Sequence, residues 1–407
     1  MIKIAVISDL HLGFGLGTKR EQDSFNNAKA AFTRALEEKP DLILVAGDIF
    51  HDRIPKPEVL ATGVELFFNA NQRMPKKAIV VRKVKEQHTT STKTEIPPIV
   101  TIYGTHERRS SESVNPVQIL QKAGLLYNLH AESILLQIDS DKLGIHGLSG
   151  VPERYARDIL RAWQPEPFEG AVNILLAHQS FRNLIPADEP FLEFGDLPKG
   201  FDLFVLGHIH WRTEARHPAF GTPILIPGST VKTQLNKVES ELEKGFYLLR
   251  IDQQKINSEF IQIKTRPFFY EKLKVDGKKP SEIITALSES TLLHTMEDQE
   301  KLPIIRFKLE GQLASGFLST DLDISPIIKK YLDKAILSID KTAITSAEVT
   351  AQARLLQDLK QRKLTVEQVG FSLLVQALKR YRQQARIEKL FHLLAEDNLE
   401  LAEKELK

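Results

Sequence analysis

The chain of 407 residues contains no cysteine, and that absence excludes three kinds of chemistry. A disulfide scaffold, a thiolate zinc site and a cysteine nucleophile all need thiols. Excess charge of one sign is lacking too: 55 Lys+Arg stand against 53 Asp+Glu, a formal net charge of +2. On its face this near-neutrality argues against nucleic-acid binding, which usually comes with a basic chain. Long hydrophobic runs are missing as well. The apolar run Ile4–Ile7 is interrupted by Asp9, whereas a secretory core needs roughly 7–15 apolar residues and a membrane span roughly 18 or more. The expectation is a soluble, cytoplasmic protein with no membrane partner. A hydrophobic fraction of 42% with 27% charged residues is ordinary for a globular chain, and the length predicts two or three domains.

What is present is an alternation. Short Ile/Leu/Val-rich runs at Ile2–Ser8, Leu42–Ala46, Ile99–Tyr103, Val172–Ala177 and Phe201–Leu206 read as buried strands. Between them lie helical patterns such as Ser24–Glu38, where Phe25, Ala28, Phe32, Ala35 and Leu36 share a face. This predicts an α/β layered domain with a mixed sheet, over residues 1–265. The pattern changes near Arg266-Pro267-Phe268, and residues 266–345 read as a small α+β domain. Residues 346–407 read as a linker and C-terminal helices, with an apolar stripe of Phe371, Leu374, Val375, Leu378, Tyr381 and Ala385.

Each predicted strand ends in a potential metal ligand or next to one. Asp9 and His11 follow the first, Gly47-Asp48 the second, Gly104-Thr105-His106-Glu107 the third, His178 the fourth, and Gly207-His208-Ile209-His210 the fifth. Ligand sites in α/β sheets gather at carboxyl ends of strands, so these ends are expected to converge. Imidazole with carboxylate and no thiolate suits Mn, Fe or Zn. Two ions a few ångströms apart could share a carboxylate such as Asp48. Extended backbone at D-x-H and H-x-H would aim both side chains to one side. The other histidines, 88, 130, 146, 217, 294 and 392, read as incidental.

Taken in order, D-x-H, G-D, G-x-H-[DE], H and G-H-x-H resemble the calcineurin-like metallophosphoesterases. Finer matches at SDLHLG (Ser8–Gly13), AGDIFHDRIPKPE (Ala46–Glu58), LAHQSF (Leu176–Phe181), FDLFVLGHIH (Phe201–His210) and PGST (Pro227–Thr230) resemble the SbcD-type double-strand-break repair nucleases. The similarity runs to about residue 311. It implies a four-layer α/β/β/α nuclease domain, a DNA-capping α+β domain and C-terminal helices that bind an SbcC-like coiled-coil ATPase. It further implies a homodimer acting on DNA ends, beside the nucleoid, with two Mn ions per chain and no bound nucleotide. Asp9, His11 and His210 would hold one ion, His178 and His208 the other, and Asp48 would bridge. His106 would stabilise the transferring phosphate or protonate the leaving oxygen, and His51 would set the scissile phosphate for exonuclease cleavage.

One position departs from the family. Where the pattern has Asn, this chain has Thr105, a shorter and weaker donor that would leave the second ion less firmly held. This departure motivates an alternative, a DNA-end-tethering scaffold with weak or lost nuclease activity; a weaker alternative, independent of Thr105, is a small-substrate phosphodiesterase using the same core. No P-loop motif is present, so an ATPase would have to be a partner.

The neutral total conceals local charge. Arg73–Glu95 has seven basic and two acidic residues and reads as an insertion or long loop; Arg354–Lys389 has nine against three. Both could meet phosphate backbones, and the second carries the stripe expected to pack on the ATPase.

Overall fold

The computed structural model describes residues 1–85, 88–110, 113–185, 191–296, 300–346, 367–368, 370–372, 374–375 and 387–406. They divide into two compact units, Met1–Tyr270 with Gln299–Ile304, and Glu271–Asp298 with Ile305–Lys407.

The first unit opens with β1 (Ile2–Ile7), α1 (Glu21–Glu37), β2 (Leu42–Ala46), α2 (Pro57–Arg73), β3 (Ala78–Lys85), β4 (His88–Glu95) and β5 (Ile99–Ile102). It continues through α3 (Pro116–Lys122), β6 (Tyr127–Asn128), β7 (Glu132–Ile138), β8 (Asp141–Leu148), α4 (Glu153–Trp163), β9 (Val172–His178) and β10 (Leu203–Gly207). It closes with β11 (Thr213–Arg216), β12 (Pro223–Ile226), α5 (Lys237–Glu241), β13 (Gly245–Asp252) and β14 (Lys255–Gln262). One sheet runs β14-β13-β1-β2-β5-β6 and the other β11-β12-β10-β9-β8-β7-β3-β4. Both are mixed: β1, β2 and β5 are parallel, as are β8, β9, β10 and β12, with antiparallel strands added at the sides.

Strand alternation builds the layers. Ile4 and Val6 of β1 join Ile174, Leu176, Leu203 and Val205 of the other sheet in one core between the sheets. Their neighbours Ala5 and Ile7 face Phe32 of α1 and Phe67 of α2. Leu175 and Phe204 face outward onto Ala156 and Leu160 of α4. Because every central strand is covered on both faces, it reads as a continuous apolar run rather than an alternating one. The result is a four-layer α/β/β/α sandwich. A capping box fixes the start of α3: Asn115 accepts from the Gln118 amide at 2.8 Å while Gln118 accepts from the Asn115 amide at 2.9 Å.

Arg73–Glu95 is not a loop. Arg73 ends α2, and β3 and β4 pair antiparallel at the edge of the second sheet. The run HTTSTKTE looked unstructured because it has nothing to bury, yet an edge strand exposed along nearly its whole length needs no apolar face. Thr is a good strand former, and polar, charged residues protect such an edge from further pairing.

In the second unit, β15 (Phe268–Lys274) begins in the first and is followed by α6 (Pro280–Thr295), β16 (Ile304–Gln312), α7 (Ser325–Lys330) and β17 (Ile336–Thr345). The sheet order is β15-β16-β17, so this unit is α+β in composition. Farther on, helices Ile387–Ala395 and Leu399–Leu406 bury Leu390 and Ala402, with Leu374 packed against them. Phe371 meets Phe391 edge to face at 5.7 Å. Leu378, Tyr381 and Ala385, the rest of the expected stripe, lie outside the described residues, as does most of Arg354–Lys389.

Arg266 ties the end of the first unit's chain to its first helix. Its guanidinium donates to both carboxylate oxygens of buried Asp23 at 2.8–3.0 Å and to the Leu302 carbonyl at 2.7 Å. Arg266→Ala strands that carboxylate with only Arg20 nearby. The expected loss is about 3 kcal/mol, read as a lower urea midpoint with an unchanged m-value.

Candidate metal centre

The strand ends do converge. Asp9 and His11 leave β1, Asp48 leaves β2, His178 ends β9, and His208 and His210 leave β10. Two overlapping sets result: Asp9, His11, Asp48 and His210, and Asp48, His178 and His208, each with its candidate ligand atoms within 4.8 Å of one another. A third set, His11, His51 and His106, adjoins the first.

The backbone reaches this arrangement by a different route from simple extension. Asp9, His11, Asp48 and His208 have φ of 51°, 46°, 47° and 78°. All four sit in the left-handed region that non-glycine residues rarely adopt and that clusters at functional sites. Asp9 and His11 therefore meet through turns and not through the two-residue repeat of a strand. Cross-strand bonds hold the turns in place, with the Asp9 amide on the Gly47 carbonyl at 3.1 Å and the His11 amide on the Asp48 carbonyl at 2.9 Å. The joint tolerates no side chain at Gly104, where a Cβ would lie 2.0 Å from Asp48 Oδ1, or at Gly207, where it would lie 2.0 Å from the Ala46 carbonyl.

Asp48 sits between the two sets. Its Oδ1 accepts from the His106 amide at 3.0 Å. Its Oδ2 lies 3.2 Å from His178 Nε2 and 4.0 Å from His11 Nε2. On the other side, His11 Nε2 and His210 Nε2 are 3.0 Å apart and each is 3.8 Å from Asp9 Oδ1. Several imidazoles are aimed from behind. His178 Nδ1 donates to the Ala46 carbonyl at 2.7 Å and His106 Nδ1 to that of His51, which leaves both Nε2 atoms turned inward; His210 Nδ1 bonds Thr233. Thr105 Oγ1 stands 3.4 Å from His208 Nδ1. His51 stacks on His106 at 5.0 Å.

Asp48 Oδ2 and His178 Nε2 are buried polar atoms without hydrogen-bond partners, a costly state that a cation between them relieves. With only nitrogen and carboxylate oxygen donors, the residues fit a pair of borderline divalent ions. Burial is the main reason that Asp9 is pushed up to about 7 and that His208 and His210 are pushed down to about 4 and 3. Burial opposes ionisation of Asp48 too, but the charge of His178 outweighs it and the carboxyl falls below its ordinary range. The converse holds for His178, which burial lowers and Asp48 more than restores, up to about 10.

Glu107, the last letter of the G-x-H-[DE] motif, has a role beyond that motif. It is fully buried, and its two oxygens accept from the Phe50 and Gly104 amides, each at 2.8 Å. It thereby ties together the loops carrying His51 and Thr105. Burial, reinforced by Asp48, raises it to about 8. An acid directly after a strand-end histidine, in a chain segment with no exposed role for it, was the available signal.

As pH rises past about 7 the unfolded chain has shed nearly all its carboxyl and most of its imidazole protons, while in the ion-free fold Asp9 and Glu107 release theirs only near 7 and 8 and His178 near 10. The native state then binds more protons, so its stability falls as pH rises. Bound cations reverse the demand, because ligands must be deprotonated. In EDTA the Tm should therefore fall from pH 6.5 to 8.5, and the rise in Tm on adding Mn²⁺ should grow over the same interval. Calorimetry at both pH values with and without the ion checks both slopes.

The sequence profile of the calcineurin-like phosphoesterases matches residues 2–212. Over 302 residues the chain is 29% identical to the double-strand break repair protein MRE11 of Encephalitozoon cuniculi, covering 68% of this chain and 50% of that protein. It is 27% identical over 285 residues to the DNA double-strand break repair protein Mre11 of Methanopyrus kandleri, covering 64% and 57%. With the Mre11 of Saccharolobus solfataricus it shares 24% over 357 residues, covering 85% and 86%. The chain thus spans about half the length of the first two of these relatives. The profile match over more than half the chain, on a two-sheet sandwich whose strand ends carry the cluster, places the chain in the calcineurin-like phosphoesterase family.

Proposed function

We propose that this chain is a metal-dependent DNA nuclease that trims DNA ends and cuts single strands during double-strand-break repair. The observation that carries the reading is Asp48 shared between two sets of candidate ligands with His106 beside them. In this reading Asp9, His11 and His210 hold one ion, His178 and His208 hold the other, and Asp48 bridges, with Mn²⁺ as the intended metal. The ions when bound would lower the pKa of water and neutralise phosphate charge.

The chain's own groups do the rest. His106 is fixed by its bond to the His51 carbonyl, so its Nε2 can present a proton to the leaving oxygen or a hydrogen bond to the phosphate. His51, stacked on His106 and 5.5 Å from His11, is placed to orient the phosphate. Beyond the same loop, a cavity of about 500 Å³ is lined by Lys83, Lys85, Arg108 and Arg109, positive charge suited to a phosphate backbone. The chain's similarity to double-strand break repair proteins supports that repair as the setting. A homodimer on DNA ends, with an SbcC-like coiled-coil ATPase as partner, completes the proposal.

Thr105 favours a second reading, a DNA-end tether with reduced cleavage. The set around His178 has three candidate ligands against four in the other, and Thr105 adds only a hydroxyl near His208. The two readings separate in one assay of overhang cleavage with Mn²⁺. A nuclease loses roughly 10²–10⁴-fold in rate on His106→Ala and gains at most a few-fold on Thr105→Asn. A tether shows wild-type cleavage no faster than His106→Ala, with one Mn²⁺ bound per chain and cleavage gained on Thr105→Asn.

A further inference from the structure

Behind His210 lies a buried ion pair that the proposed chemistry does not use. Lys244 is 2% exposed and Glu239 is fully buried. A lysine ammonium has three hydrogens to donate, and this one has three acceptors: the His210 carbonyl at 2.7 Å, Ser229 Oγ at 2.9 Å and Glu239 Oε1 at 3.0 Å. Glu239 is fixed in turn, its second oxygen accepting from the Gln234 amide at 2.8 Å and its own amide donating to Asn236 at 2.9 Å.

The same stretch of chain reaches His210 at two further points. The Ser229 amide donates to its carbonyl at 3.1 Å, and Thr233 bonds its ring Nδ1. Residues 229–244 therefore form a strap that fixes the backbone of His210 at one end and its imidazole at the other. Burying two charges is unfavourable unless pairing is complete, and an apolar pair of similar volume is commonly as stable. Stability alone thus gives little reason for a lysine here, whereas an ammonium that joins the His210 carbonyl to Ser229 and Glu239 gives one.

We propose that Lys244, held by Glu239, is a positioning residue that fixes His210 for the ion shared with Asp9 and His11, a role that rests on the two-ion reading of the centre. Ligands aimed by outer partners typically lose 10–100-fold in metal affinity when those partners are removed.

The test is Mn²⁺ binding to the full chain, followed by calorimetric titration and by electron paramagnetic resonance, with no turnover needed. The double variant Lys244→Met/Glu239→Gln removes both charges together, so no lone charge is left buried. It should melt cooperatively near the wild-type temperature and bind one ion 10–100-fold more weakly, while the other is changed less than about threefold. Because the chain has no other thiol, Lys244→Cys offers a second arm. Alkylated with 2-bromoethylamine while unfolded and then refolded, it regains an ammonium at nearly the same place, and its Mn²⁺ affinity should return. The wild type taken through the same cycle is the control.

Wild-type affinity at both sites in either unalkylated variant overturns the proposal. So does equal weakening of both sites, or failure of alkylation to restore a folded variant, since each points to a general structural role. Failure of the underlying reading looks different: wild type itself binds no ion pair, or Asp9→Asn binds as wild type does.

Discussion

The constraint on which the rest depends is electrostatic. Asp9, Asp48 and Glu107 are all buried at one joint between two β-sheets, where isolated carboxylates would be far too costly. The fold answers with the imidazoles of His11, His178, His208 and His210 from three different strand ends, and with backbone amides directed at nearly every carboxylate oxygen. Asp9 takes the His208 amide, Asp48 the His106 amide, and Glu107 those of Phe50 and Gly104. Asp48 Oδ2 is the exception: it takes no amide and faces His178 Nε2 at 3.2 Å instead. Protons on Asp9, Glu107 and His178 relieve this charge in the ion-free fold, and divalent cations relieve it more fully. Sheet topology, ligand set and pH response are consequences of one demand for compensation.

That demand explains which parts of the site were legible in the sequence. Strand runs and their terminal residues are local signals, and the parallel order of β1, β2 and β5 and of β9 and β10 brings their carboxyl ends together. The nature of the turns was not legible. A left-handed residue has no signature in sequence when it is Asp or His instead of Gly, so D-x-H read as extended chain. What places those residues at positive φ is the lattice of bonds from β2 to the loop after β1, which is long-range. The role of Glu107 is long-range in part: one of its two amide partners, Phe50, is 57 residues away.

The basic hairpin β3–β4 shows a second limit. Apolar periodicity detects elements that bury a face, and β4 buries almost nothing. It exists because β3 offers it a paired edge, while β3 is itself anchored to β7. Its charge also corrects the reading of the total. Lys83 and Lys85 stand with Arg108 and Arg109 around one cavity that Glu132, paired with Lys83, also lines, so a chain near neutrality overall still gathers four basic side chains in one place. Net charge averages over distances much longer than the roughly 8–10 Å across which charges act at physiological salt.

The lack of cysteine acquires its full meaning at the metal centre. Thiolate ligands bring softness and strong bonds that discriminate among metals by themselves. Nitrogen and carboxylate oxygen donors discriminate less, since their affinities follow a common order for the divalent ions, so geometry must do more of the selecting. Geometry is set by what stands behind the ligands: carbonyls behind His178 and His106, a hydroxyl and a buried ammonium behind His210, and only a Thr hydroxyl beside His208. The two candidate ion sites are therefore unequal in support as well as in ligand number. The His210 side is braced by a sixteen-residue strap, whereas the His208 ring has the Thr105 hydroxyl beside it at 3.4 Å. Asp48 belongs to both sets of candidate ligands, so any displacement of its carboxylate toward one set draws it away from the other.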